Sequence, residues 1–127
     1  AVGVVKSTHH VPAAEEAGKD SQRFRRAGAK AVSVVSSAGQ APLMQRERLL
    51  AAAEAMQSVD VVLLETRSQA IEPAIEILPS SSTVPSTADD VLTAILTDAE
   101  EAASQQIYQL SWLDLQTAAK WIAFLVR

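Results

Sequence analysis

Residues 59–65 read Val-Asp-Val-Val-Leu-Leu-Glu, an almost continuous apolar run that ends in an acid. A short run of this kind, rich in β-branched residues, predicts a strand. Because successive side chains of a strand point to opposite faces, the run predicts burial on both faces, as in a parallel sheet. Apolar runs at residues 2–5 and 31–36 predict two more strands.

Helical segments are predicted between and after these strands. The spacing of apolar residues predicts helices at residues 46–57 and 112–126. Residues 18–29 predict another helix, because Asp20 or Ser21 could cap its start and the arginines that follow form a basic face. Gly28 marks the end of the first helix, because glycine tolerates the left-handed conformation that often closes a helix. Strands therefore alternate with helices along most of the chain.

Three further strands complete the predicted fold. They lie at residues 41–44, 74–78 and 91–97, and a Ser/Thr/Pro-rich stretch at 79–89 predicts a surface loop. The alternation predicts one α/β domain over residues 1–127, with a mixed or mostly parallel sheet covered on both faces. In such sheets ligands bind near the carboxyl ends of the strands.

Composition and charge limit the classes of function. The net charge of −4 and the isoelectric point near 5.1 argue against a general affinity for nucleic acid or an anionic membrane. The sequence has no cysteine, which excludes disulfides, thiolate metal sites and cysteine nucleophiles. No apolar run approaches the roughly 18 residues of a membrane span. We therefore expect a cytoplasmic protein.

A polar cluster follows the first predicted strand and consists of Lys6, Ser7, Thr8, His9 and His10. Basic and hydroxyl groups at the carboxyl end of a strand hold phosphate through charge-assisted hydrogen bonds. Two adjacent histidines also suit a metal, but neighbouring side chains point apart and no third ligand is evident nearby. The cluster is therefore a candidate anion site, and a polar surface loop is the other interpretation of these residues.

The first predicted helix begins with Gly-Lys-Asp-Ser at residues 18–21 and continues into arginines that include Arg23 and Arg26. A helix N-terminus with a lysine beside it suits an anion. The segment fails as a Walker A motif, because Ala13 replaces the first glycine and Asp20 replaces the hydroxyl that would bind Mg²⁺. The alternative is a solvated basic helix face.

Glu65 closes the apolar run of residues 59–65. An apolar strand that ends in an acid resembles a Walker B element, whose carboxylate holds Mg²⁺ directly or through water. The alternative is a solvated carboxylate, since many strands of α/β proteins end in an acid. Glu65 is therefore a candidate Mg²⁺ ligand.

The order of these segments resembles the molybdopterin-guanine dinucleotide biosynthesis protein B family. Residues 2–10, Val-Gly-Val-Val-Lys-Ser-Thr-His-His, are similar to the family's strand and Thr-His-His signature. Residues 18–21 resemble its Gly-Lys-Asp-Ser helix, and residues 60–65 resemble its Walker B-like strand. Residues 73–77 and 91–98 resemble two later strands, so the resemblance covers most of the chain.

The resemblance implies a three-layer α/β fold of the P-loop NTPase type. It also implies a GTP-binding accessory protein of molybdenum cofactor synthesis, with GTP and Mg²⁺ as ligands and a weak GTPase activity. The implied partner is the molybdenum cofactor nucleotidyltransferase or another molybdopterin-binding protein, and family members are typically homodimers. Glu65 would lie near Mg²⁺. The residues that would surround the phosphate and the pterin are Lys6, Thr8, His9, His10, Lys19, Asp20, Arg23 and Arg26.

The sequence departs from the family pattern in several places. The family opens with a strand, a phosphate loop ending in Gly-Lys-Thr and a helix, and these 127 residues contain no counterpart of that unit. Thr66 and Arg67 stand where the family has Gly-Phe, Ser7 stands where a histidine is common, and Ala74 stands where the family has a lysine. We therefore expect the fold without its first strand–P-loop–helix unit.

Three hypotheses follow. In the first, which we prefer, the chain is the incomplete body of a GTP-binding accessory protein. In the second it is a non-catalytic adaptor that keeps the fold and the partner surface but binds no nucleotide. In the third it is an unrelated α/β binding domain that matches by chance. The first requires residues 6–10 and 18–21 to line one cleft, and a large separation would favour the third.

Overall fold

The computed structural model describes residues 1–9, 17–66, 71, 73–78, 92–97, 108–111 and 113–125. Contacts divide the chain into two units, Ala1–Gln69 and Ala70–Arg127. Each unit contains a three-stranded sheet, and every strand pairing in both sheets is parallel. The predicted α/β class with parallel sheets is therefore confirmed, while the extent of the single domain stays a prediction.

The first unit has the repeating order strand, helix, strand, helix, strand. Its elements are β1 (Val2–Thr8), α1 (Ala17–Arg26), β2 (Ala31–Ser36), α2 (Pro42–Glu54) and β3 (Val61–Glu65). The strand order is β2-β1-β3, so β1 pairs on both edges. The first crossover moves from β1 to one side, and the second returns past β1 to the other. Because such crossovers are right-handed, this reversal puts α1 and α2 on opposite faces of the sheet.

The core of this unit is aliphatic. Val4 and Val5 of the central strand and Leu49 of α2 are almost completely buried. Gly3 allows the segment after α2 to approach β1 closely, because a Cβ atom at Gly3 would lie 2.6 Å from the Sδ atom of Met56. The side chains that pack between the sheet and α2 thus come from the apolar runs of the sequence.

Two details of the first unit differ from the sequence predictions. The strand predicted at residues 41–44 is wrong, because α2 begins at Pro42, the helical position at which proline is favoured. Leu63 is 43% exposed, so burial of β3 on both faces is also wrong. The reason is that β3 is an outer strand of this three-stranded sheet. The predicted end of α1 is confirmed by Gly28, whose φ is 101°.

The second unit contains β4 (Ala74–Ile77), β5 (Leu92–Thr97), β6 (Tyr108–Ser111) and α3 (Leu115–Leu125), with the strand order β4-β5-β6. Ala94, Leu110 and Ala118 form its buried core. β6 was not among the strands predicted from the sequence. The loop predicted at 79–89 lies outside the described residues. None of the helices within the described ranges is long and apolar enough to cross a membrane.

Asp114 caps the start of α3. Its Oδ1 accepts a hydrogen bond from the backbone N–H of Thr117 at 3.0 Å, and its Oδ2 accepts one from the Thr117 hydroxyl at 2.6 Å. Such a residue satisfies a backbone donor that the first helical turn leaves unpaired. The helix therefore begins at Leu115 and not at residue 112, as the sequence predicted.

The cap of α3 gives a testable dependence on pH. The Thr117 hydroxyl, followed by the Thr117 backbone N–H, holds the pKa of Asp114 below its usual 3.8. A carboxyl whose folded pKa is lowered stabilises the fold above the unfolded pKa, and this contribution is lost as the pH falls through the folded pKa. Asp114→Asn keeps a carbonyl oxygen for the cap but cannot titrate. We expect the gap in melting temperature between the wild type and Asp114→Asn to narrow as the pH falls below 3.8 and to vanish once the pH is below the folded pKa. A gap that does not narrow over this range would contradict the account.

Candidate functional site

The carboxyl ends of β1 and β3 meet where the strand order reverses. Lys6 of β1 is the register partner of Glu65 of β3. In the strand order 2-1-3 the first crossover leads from β1 to its neighbour on one side and the second leads from β2 to the neighbour on the other side. The crevice between β1 and β3 is the place where open α/β sheets of this order bind ligands. The topology therefore points to the surroundings of Lys6 and Glu65 as the candidate site.

Lys6, Asp20 and Glu65 form one charged cluster at this point. The Lys6 ammonium donates a hydrogen bond to Oδ2 of Asp20, and its Nζ lies 3.6 Å from Oε2 of Glu65. The side chain of Lys6 is 22% exposed, whereas those of Asp20 and Glu65 are 49% and 53% exposed. Lys6 thus has the least exposed side chain of the three.

The ion pair shifts the pKa values of Lys6 and Asp20 in the directions that favour their charged forms. The hydrogen bond to Asp20 raises the pKa of Lys6, and the charge of Glu65 adds to this effect while partial burial opposes it. The hydrogen bond and the charge of Lys6 lower the pKa of Asp20, and Arg23 adds a smaller effect in the same direction. Lys6 and Asp20 are therefore both charged at neutral pH.

Helix α1 determines which predicted residues reach the cluster. Asp20 lies in the first turns of α1, so the ion pair to Lys6 fixes this helix end beside the carboxyl end of β1. Arg26 lies about 9 Å farther along the helix axis, at a rise of about 1.5 Å per residue. The structure therefore brings Asp20 to the cluster and places Arg26 in the last turn of α1. The side chain of Lys19 and the whole of His10 lie outside the described residues.

A second group of contacts joins the ends of β1 and β2. The backbone N–H and the hydroxyl of Ser37 both lie within hydrogen-bonding distance of the Thr8 carbonyl oxygen, at 2.8 and 3.0 Å. The same hydroxyl lies 3.2 Å from Nδ1 of His9. Ser37 is only 4% exposed. The sequence analysis missed Ser37, although its place directly after a predicted strand assigns it to this end of the sheet.

These contacts predict the tautomer of His9. The Thr8 carbonyl oxygen can only accept hydrogen bonds, so the single proton of the Ser37 hydroxyl is donated to Thr8. The Ser37 oxygen then accepts in its contact with His9, and this hydrogen bond forms when Nδ1 of His9 carries the hydrogen. We expect ¹⁵N NMR of neutral His9 to show mainly the Nδ1–H form, with Nε2 as acceptor. Ser37→Ala should shift the ring towards the Nε2–H form common in unconstrained histidine. An unchanged ratio would contradict this account.

The donor set near Glu65 fits Mg²⁺ of the kind that arrives with a nucleotide. Mg²⁺ usually takes one or two protein carboxylates and fills its other positions with water and phosphate oxygens. Asp20 and Glu65 supply two carboxylates that both form an ion pair with Lys6. Within the described ranges, no group of three or more His, Asp or Glu side chains forms a closed cage for a metal.

Thr66 lies directly after β3, at the same end of the strand as Glu65. Its hydroxyl oxygen is buried and has no hydrogen-bond partner among the described parts of the chain. Buried hydroxyls normally have a partner, so an orphaned one beside a candidate ligand site calls for a ligand or a water molecule. This fits a hydrated cation or a phosphate at the position next to Glu65.

The sequence also matches a known family. A family model described as molybdopterin guanine dinucleotide synthesis protein B matches residues 1–98 of the 127. The chain belongs to this family. No curated protein and no solved structure matches it. Membership gives the synthesis protein B chain a role in making molybdopterin guanine dinucleotide, and the hypothesis of an unrelated domain that matches by chance is wrong.

Proposed function

We propose that this synthesis protein B chain is a GTP-binding accessory protein, and that Lys6, Asp20 and Glu65 mark its nucleotide and Mg²⁺ site. The observation that carries the proposal is the ion-pair cluster at the β1/β3 crevice. It unites motifs that lie 14 and 59 positions apart in the sequence, at the sheet position where this topology binds ligands.

Each residue of the cluster has a role that follows from its chemistry. The carboxylates of Glu65 and Asp20 would hold Mg²⁺, and the metal would supply positive charge to the phosphates of the nucleotide. Lys6 lies beside them and supplies a charge-assisted hydrogen bond to phosphate. Arg23 is exposed and close enough to act on Asp20 through its charge, and it adds to the positive side of the site.

The remaining predicted contacts stay predictions around this centre. His9, held by Ser37, belongs to the same end of the sheet as Lys6. Phosphate or pterin contacts remain predicted for Thr8, His9, His10, Lys19 and Arg26. The product joins a guanine nucleotide to molybdopterin, which is why GTP is the proposed ligand. The proposed partner is the molybdenum cofactor nucleotidyltransferase in the cytoplasm, with the protein acting as a homodimer.

Two observations favour a second candidate, the adaptor that binds no nucleotide. The Lys6 ammonium is already paired with two carboxylates, and the 127 residues contain no Gly-x-x-x-x-Gly-Lys-Ser/Thr loop to cradle a triphosphate. In that case the synthesis protein B chain would contribute only a surface for its partner. Partner binding would then be independent of GTP and Mg²⁺.

Direct titration separates the two candidates. The protein is purified at its natural length and titrated with a fluorescent GTP analogue, with and without Mg²⁺, and with ATP as competitor. The proposal predicts saturable binding that needs Mg²⁺ and that GTP reverses more effectively than ATP. If no GTP binds while the protein still associates with the nucleotidyltransferase, the GTP-binding role is wrong and the adaptor role replaces it.

A further inference from the structure

We propose that Lys6 is a built-in counter-ion that a divalent cation must displace from Asp20 and Glu65 before it can bind. The proposal rests on the proposed function, because it concerns the same carboxylates, and it adds how their site is regulated. Its consequence is that the metal binds weakly alone and well together with a phosphate-bearing ligand.

The Lys6 ammonium contacts both groups that would ligate a metal. It donates a hydrogen bond to Asp20 and lies 3.6 Å from Oε2 of Glu65. Mg²⁺ requires oxygen atoms at about 2.1 Å. A metal that binds the oxygen contacted by Lys6 at this distance lies within a few ångströms of the ammonium, which repels it.

The positive charge of Lys6 also opposes the binding of a cation at this cluster. One ammonium and two carboxylates leave the cluster with a formal charge of −1, and without Lys6 the charge would be −2. A divalent cation placed between the carboxylates is also repelled by an ammonium a few ångströms away. Lys6 thus weakens the attraction of the carboxylates for a cation and opposes the cation directly.

The Lys6 ammonium needs a new partner once a cation has displaced it. Its side chain is only 22% exposed, and burying a charge without a partner is costly. A phosphate group bound to the incoming metal supplies that partner, because an ammonium donates charge-assisted hydrogen bonds to phosphate. The metal and the phosphate ligand therefore favour each other's binding, and Lys6 carries the coupling between them.

The test uses Mn²⁺ alone as the probe, with free Mn²⁺ measured by electron paramagnetic resonance. Lys6→Met keeps much of the apolar stem and removes the charge. Lys6→Gln is the second variant, which keeps an N–H donor for Asp20 if Lys6→Met fails to fold. Lys30→Met is the matched control, because Lys30 donates to the Ser58 carbonyl at the amino end of the sheet and carries the same charge. Circular dichroism confirms that each variant is folded.

We expect neutral Lys6 variants to bind Mn²⁺ about tenfold tighter than the wild type or more, given the size of charge interactions at such distances. Lys30→Met should bind like the wild type, and Asp20→Asn added to Lys6→Met should remove the gain. Adding GTP should tighten Mn²⁺ binding strongly in the wild type and less in the Lys6 variants.

The outcomes separate this inference from the proposed function. If the Lys6 variants bind Mn²⁺ no tighter than the wild type while GTP binding still requires Mg²⁺, the counter-ion role is wrong and the proposed function stands. If the Lys6 variants gain Mn²⁺ affinity but no form binds GTP, the counter-ion role stands and the GTP-binding function is wrong. An equal gain in Lys30→Met would also overturn the inference, since the effect would then be general electrostatics.

Discussion

Leu49→Ala is expected to lower the free energy of unfolding by about 2–5 kcal/mol, the range for deleting a buried leucine side chain. Leu49 is 1% exposed and lies on α2, which packs against all three strands of the first sheet. Its loss leaves a cavity between helix and sheet that close-packed neighbours fill only in part. Urea unfolding followed by far-ultraviolet circular dichroism measures the change.

Leu43→Ala is the matched control for this prediction. Leu43 lies on the same helix but is 67% exposed, so the same substitution removes little buried surface. We expect a change within about 0.5 kcal/mol, as for most surface substitutions. Equal losses in the two variants would mean that α2 does not pack on the sheet through Leu49, and the described core of the first unit would be wrong.

Glu65→Gln is expected to weaken Mg²⁺-dependent GTP binding by roughly 100-fold or more. Loss of an outer group that only orients a metal ligand already costs about 10–100-fold in affinity, and Glu65 is proposed as a ligand itself. The fold should survive, because Lys6 keeps Asp20 as its hydrogen-bond partner and exposed ion pairs contribute little to stability. Titration of GTP at fixed Mg²⁺ measures the loss.

Glu47→Gln controls for the change in net charge. Glu47 is an exposed residue of α2 and takes no part in the Lys6 cluster. Its substitution should leave GTP binding unchanged. If both variants bind GTP as the wild type does, Glu65 is no ligand and the cation site at the end of β3 is wrong.

The parallel sheet of the first unit could be predicted because its strands are short apolar runs. The runs at residues 2–5, 31–36 and 59–65 contain most of β1, β2 and β3, and their alternation with helices predicts parallel pairing. The strand at 41–44 was wrong because the segment is too short to show a period, and Pro42 was not recognised as the start of a helix. β6 was missed because Tyr-Gln-Leu-Ser has only two apolar residues, whereas β4, which is equally short, has three.

The candidate site could be predicted in part. The rule that ligands bind at the carboxyl ends of strands selected Lys6 and Glu65, and the register of β1 and β3 makes them neighbours. The pairing of Lys6 with Asp20 depends on the path of α1 across the sheet, which no local pattern determines. Ser37 contacts His9, which lies 28 positions earlier in the sequence. Local sequence patterns therefore could not reveal its role.

The most direct test of the central claim locates the metal and the nucleotide on the protein. Paramagnetic Mn²⁺ bound with GTP broadens the NMR signals of nearby amide groups. We expect the signals of Lys6, Asp20 and Glu65 to broaden strongly, and that of Lys30, about 13 Å along the sheet at about 3.3 Å per residue, to broaden much less. Broadening centred elsewhere, or none with GTP and Mn²⁺ in excess, would contradict a nucleotide site at the β1/β3 crevice.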